Sequence, residues 1–171
     1  TPIIIPQGWS MLAYLRQNSA PIDQIFSSFV TEVIIIKNTA GQTFWPQWSI
    51  NMIGNMNTGE GYLIKLNSQQ TLTYPANSVI YTKEEVINRK PIKLTGILNT
   101  GSNMTLGIPL SAWEYIPEIG DEIGVFSSNR NLVGSAVFTG QNMAITIWGD
   151  DELTPKIEGS IIDEEFIVKL W

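Results

Sequence analysis

A mainly β fold in two small units is what this sequence predicts, on three observations. Short apolar runs rich in Ile, Val, Phe, Tyr and Trp recur from end to end. Turn residues separate them at close, regular spacing. Only the stretch 22–30 carries a helical period. The expected organisation is a β-sheet domain with one packed helix over residues 1–80, a linker or short helix over 81–90, and an antiparallel β-sandwich over 91–171.

In the first unit Ile3-Ile4-Ile5 is β-branched and stopped by Pro6, and Gly8 to Leu15 reads as a buried strand. Ile22, Ile25, Phe26, Phe29 and Val30 form one apolar stripe at helical spacing, with Ser19 as cap and Pro21 in the first turn. Val33-Ile34-Ile35-Ile36 is apolar throughout, the signature of a central strand covered on both faces. The turn Asn38-Thr39-Ala40-Gly41 returns the chain into Gln42–Trp45, and Pro46-Gln47-Trp48 ends that strand. A glycine- and asparagine-rich loop, Gly54 to Gly61, leads into Tyr62–Leu66, and Thr71–Tyr74 closes the unit before Pro75. Thr82 and Glu85 have capping-box spacing, which predicts a short helix or ordered linker to Arg89.

The second unit is read as strands Ile92–Leu98, Met104–Leu110, Glu122–Phe126, Leu132–Phe138, Met143–Trp148 and Glu165–Leu170, joined by Gly, Asn, Ser and Asp turns. Glu164 to Leu170 echoes Glu60 to Leu66; a generic closing strand gives the same pattern as a duplication.

Composition narrows the chemistry. The 171 residues hold six tryptophans but neither histidine nor cysteine, so the commonest general base, the soft metal ligands and the thiol nucleophile are missing. The net charge of −6 and the scattered basic residues argue against nucleic acid and against an anionic membrane surface. No apolar run approaches the roughly 18 residues of a membrane span. The start at Thr1-Pro2 is read as that of a fragment cut from a longer protein, and the polar composition favours an extracellular or cell-surface address.

Phe44-Trp45-Pro46-Gln47-Trp48 is the first candidate site: two indoles in a surface loop stack on the apolar faces of sugar rings. Gln47, Asn55 and Asn57 are the polar partners that would orient such a ligand. Trp113 and Tyr115 form a second aromatic cluster where a sandwich places its end loops. The competing account buries these rings as plugs of a core. Trp9, Trp148 and Trp171 lie in or beside apolar strands and are read as core.

Asp150, Asp151 and Glu152 supply hard oxygens suited to calcium, although no EF-hand spacing is present, and the same residues also suit a turn with Asp side chains capping backbone N–H groups. No phosphate loop, dinucleotide fingerprint or nucleophile motif occurs. Paired carboxylates leave open a small glycan-active enzyme, which needs a separation across a cleft of about 5–9.5 Å.

Two resemblances follow from these segments. Gly8-Trp9-Ser10-Met11-Leu12 and Gly59-Glu60-Gly61-Tyr62-Leu63-Ile64, with Val33–Asn38 and Phe44-Trp45-Pro46 between them, resemble the Gly-Trp-Asn-Leu repeat of secreted and cell-surface proteins of bacteria and archaea. Ser10 stands for the usual Asn and Leu63 for the usual Trp; the likeness covers about residues 3–75. Ile119 to Phe126, Leu132-Val133-Gly134-Ser135 and Ile147 to Asp151 are similar to a β domain of surface proteins exported by the Bacteroidetes type IX system. Both resemblances imply a surface location and modular use, and neither brings a catalytic residue set. The expected role is a non-catalytic module of a larger secreted or surface protein, binding a glycan and abutting neighbouring domains of its parent. A structural spacer or protein-contacting module is the alternative.

Overall fold

The computed structural model describes residues 1–82 and 89–171, and the chain divides into two compact units, Thr1–Val86 and Ile87–Trp171. The fold is mainly β, built from antiparallel strands, as the short apolar runs and turn spacing predict. Among the described residues no helix is long and apolar enough to cross a membrane. The expected helix over Thr82–Arg89 falls on residues 83–88, outside the described residues.

In the first unit the strands are β1 (Ile3–Ile5), β2 (Gly8–Ala13), β3 (Ala20–Pro21), β4 (Val33–Lys37), β5 (Thr43–Trp45), β6 (Ile50–Asn51), β7 (Asn55–Met56), β8 (Gly61–Leu66) and β9 (Gln70–Leu72). Five of them form one sheet in the order β2-β8-β4-β5-β6, while β1 pairs β9 and β3 pairs β7. The all-apolar strand β4 does lie inside the sheet, between β8 and β5. Asn38 makes the turn after it: its Oδ1 accepts from the N–H groups of Ala40 and Gln42 at 3.1 and 3.0 Å.

The apolar stripe is buried as expected but is only briefly helical. Helix α1 spans Ile22–Ile25, and a 3₁₀ segment, Ser27–Glu32, follows it, itself kinked at Phe29, whose φ is −146°. Ser27 Oγ donates to the Gln24 carbonyl, a local bond that competes with helix continuation. Pro21 precedes α1 without any side-chain cap from Ser19, because Ala20 and Pro21 are spent on pairing with Met56 and Asn55. Ile22, Ile25, Phe26 and Phe29 then pack with Leu12, Tyr62 and Ile64 in one core.

Strand β2 departs from the reading as a buried strand. It is the outer strand of its sheet, and only one of its faces is covered. Leu12 points into the core, whereas Trp9 and Met11 are 50% and 86% exposed on the other face. Trp171 is also exposed, and of the three tryptophans read as core only Trp148 is buried.

The second unit contains β10 (Asn103–Ile108), β11 (Glu122–Phe126), β12 (Leu132–Val137), β13 (Met143–Trp148) and β14 (Ile167–Leu170). The pair β10-β13 and the trio β12-β11-β14 make a sandwich-like arrangement around Ile123, Val125, Val133, Phe138, Ile145 and Ile147. No strand forms over Ile92–Leu98. The buried Glu122 carboxylate instead accepts from the N–H groups of Ile92, Lys93 and Leu94 at 2.7–3.1 Å, taking the place of a strand partner.

Candidate functional site

Strand β5 delivers Trp45 to the edge of a tight turn. Pro46, with its fixed φ, opens a 3₁₀ turn over Pro46–Trp48, and the Ser49 N–H closes it onto the Pro46 carbonyl at 3.0 Å. Ser49 takes a left-handed φ of 53°, which reverses the chain so that Ile50 pairs back with Trp45. The two indoles meet edge to face, with ring centroids 6.4 Å apart and planes at 83°. Trp45 is half-buried and its enclosed Nε1 has no hydrogen-bond partner, while Trp48 keeps 38% of its surface exposed beside the exposed Gln47. One ring therefore braces the other at the surface.

The remaining orienting residues lie on the following strand and loop. Asn55 sits on β7, paired with Pro21, and its N–H donates to the Ile53 carbonyl. Asn57 holds the next turn: its Nδ2 donates to Glu60 Oε2 at 3.2 Å and its N–H to Tyr62 Oη at 3.0 Å. Tyr62 in turn donates to Glu60 Oε2 at 2.5 Å, and burial first, then that carboxylate, push its phenol well above the usual tyrosine range.

In the second unit the two aromatics separate. Trp113 packs against Phe138, centroids 6.3 Å apart, and adds to the core; its Nε1 is enclosed without a partner. Tyr115 is 82% exposed, next to the exposed Ile116.

The acidic segment is organised as a loop. Asp150 Oδ1 accepts from the N–H groups of Glu158 and Gly159 at 2.9 and 3.3 Å, and Asp151 Oδ1 accepts from Leu153 at 3.0 Å. Asp150 and the exposed Glu152 border an open cleft of about 540 Å³ with Ser102, Met104, Asp163 and Glu164. Glu164 is engaged at both oxygens, accepting from Ile161 N–H and from Ser128 Oγ. Among the described residues no three acidic side chains form a group that could hold a metal ion.

The outer face of β2 and β8 carries a further group that no spacing in the sequence marks. There Trp9 lies opposite Lys65 and Met11 opposite Leu63, with the Lys65 ammonium 5.4 Å from the centre of the Trp9 ring. Against known proteins, the chain matches no family model, no curated protein and no solved structure.

Proposed function

We propose that the chain is a non-catalytic binding module of a larger secreted or cell-surface protein, and that it takes a glycan on the Trp45–Trp48 turn. The observation that carries this reading is the Trp48 indole, partly exposed yet braced edge-on by Trp45. A ring already fixed loses little entropy when a sugar stacks on it. The C–H face of a pyranose lies on the apolar indole, and the Gln47 amide, which both donates and accepts, meets the hydroxyls at the ring's rim. Tyr115, exposed on the second unit, is no part of this turn and would offer a separate stacking ring. The likeness to surface-protein repeats and the lack of histidine and cysteine agree with binding in place of turnover.

Electrophoresis through gels cast with soluble polysaccharides tests the proposal. The chain should be retarded by at least one polysaccharide, and Trp48→Ala should weaken that binding about 30-fold or more, as expected when a central aromatic anchor is removed. Equal retardation of both proteins would refute the assignment of the site. A second reading, a protein-contacting module, is favoured by the exposed Trp9, Met11 and Leu63 on the outer sheet face.

A further inference from the structure

We infer that β2 is a strand-addition site for an extended segment of another protein, one that places an acidic and an apolar residue two positions apart on one face. The peptide groups of β2 settle which ones are open. Tyr14 N–H donates to the Glu60 carbonyl at 3.0 Å, and Tyr14 and Glu60 continue the β2–β8 register. By antiparallel alternation Gly8, Ser10 and Leu12 turn their peptide groups toward β8, and Trp9, Met11 and Ala13 turn theirs to the outer edge. The Ala13 carbonyl confirms the phase, since it accepts from Tyr74 Oη at 2.8 Å on that outer side. Among the described residues, Trp9 and Met11 are the rungs left for a partner.

Apart from the Tyr74 hydroxyl at Ala13, this edge lacks the usual protections among the described residues. From Gly8 to Ala13 there is no charge and no proline, and the β2–β8 register runs without a bulge. The side chains of the open rungs are the exposed Trp9 and Met11, so an added strand would gain apolar contacts along with main-chain hydrogen bonds.

Charge selects the occupant. The Lys65 ammonium leans over Trp9 and so stands on the β2 side of the face, within reach of a side chain placed opposite Trp9. Lys37 lies in the next row, opposite Leu63. The acidic residues of positions 1–82 are engaged elsewhere: Asp23 accepts from Gln24, Glu32 from Ser68 and Glu60 from Tyr62. A carboxylate opposite Trp9 would meet Lys65 across the indole, and an apolar residue would pack on Met11. A second copy fits less well, because two-fold pairing about Ser10 would bring two Lys65 ammonium groups toward one seam.

Fluorescence anisotropy tests this with labelled, end-blocked peptides in which every second residue is threonine and the residues between alternate glutamate with valine, or lysine with valine. The glutamate peptide should bind saturably, weaken with added salt and bind about tenfold tighter than the lysine peptide. Met11→Pro removes an outward N–H that β8 does not use, so the fold should persist by circular dichroism while binding is lost. Lys65→Glu should reverse the preference between the two peptides. Absence of binding, equal binding of both peptides, or binding unchanged in Met11→Pro would each overturn the inference. So would sedimentation showing a dimer that Met11→Pro dissolves, which assigns the edge to a second copy.

Discussion

Two tryptophans that look alike in sequence do different work in the fold, and substitution should separate them. Trp113 fills space against Phe138 while its N–H finds no partner. Trp113→Ala should cost about 2–3 kcal/mol in urea unfolding, and Trp113→Phe under about 1 kcal/mol, because it also removes an unpaired buried donor. Trp48→Ala, which loses only a surface edge-to-face contact with Trp45, should cost about 1 kcal/mol. Glu122 is the residue whose role no local pattern announces. Burial disfavours its charge, but the N–H groups of Leu94, Ile92 and Lys93, with the Lys93 ammonium, outweigh that and hold the carboxyl below its ordinary 4.5. Because the folded value is the lower one, its stabilisation is complete above the ordinary value and is lost as pH falls through the depressed one. Glu122→Gln should lower the melting temperature of the second unit at neutral pH, and the difference from the parent should shrink in acid. A constant difference down to strongly acidic pH would show that the carboxylate charge is not what holds residues 92–94.

At the scale of elements, strands were legible where period two or an all-apolar run had a single meaning. Strand β4 was readable as central because four consecutive branched residues need cover on both faces. Strand β2 was not readable in the same way: Trp9, Met11 and Ala13 on one face alternate with Leu12 and Tyr14 on the other, so neither phase looks polar. Its exposure follows from one face of the sheet being left uncovered, as Leu63 on interior β8 also shows, which sequence spacing does not contain. The 22–30 stripe was legible as buried, though its length as a helix was not, since Ser27 and the Phe29 kink act locally against it. Strand β8 is central whereas β14, its echo, is an exposed edge, which favours a generic pattern over duplication. Close approach also has a test. A Cβ on Gly134 of β12 would stand 2.6 Å from the Thr146 carbonyl of β13. Backbone must shift to admit it, so Gly134→Ala should cost about 1–3 kcal/mol, read by urea unfolding.

For the whole molecule, each unit has a core of its own, one around Phe26, Tyr62 and Ile64 and the other around Phe138, Ile145 and Ile147. Fragments 1–86 and 87–171 should therefore each show strand-rich circular dichroism and a cooperative melt. A fragment that stays unfolded would mean that the units depend on each other. The aromatic candidates divide between these bodies, Trp45 and Trp48 on the first and Trp113 and Tyr115 on the second, so a ligand site must be assigned unit by unit. Trp45 and Trp48, neighbours in sequence, do meet in the fold, whereas Trp113 and Tyr115 part, one to the core and one to the surface. Sequence did not show which ring is braced and exposed, because that depends on Pro46, Ser49 and the return pairing of Ile50. The most direct test is calorimetric titration of the chain with a panel of soluble polysaccharides, in parallel with Trp48→Ala and Tyr115→Ala. The account predicts saturable heat with at least one polysaccharide, lost in Trp48→Ala and largely kept in Tyr115→Ala. Heat that survives Trp48→Ala unchanged, or silence across the panel, would contradict it.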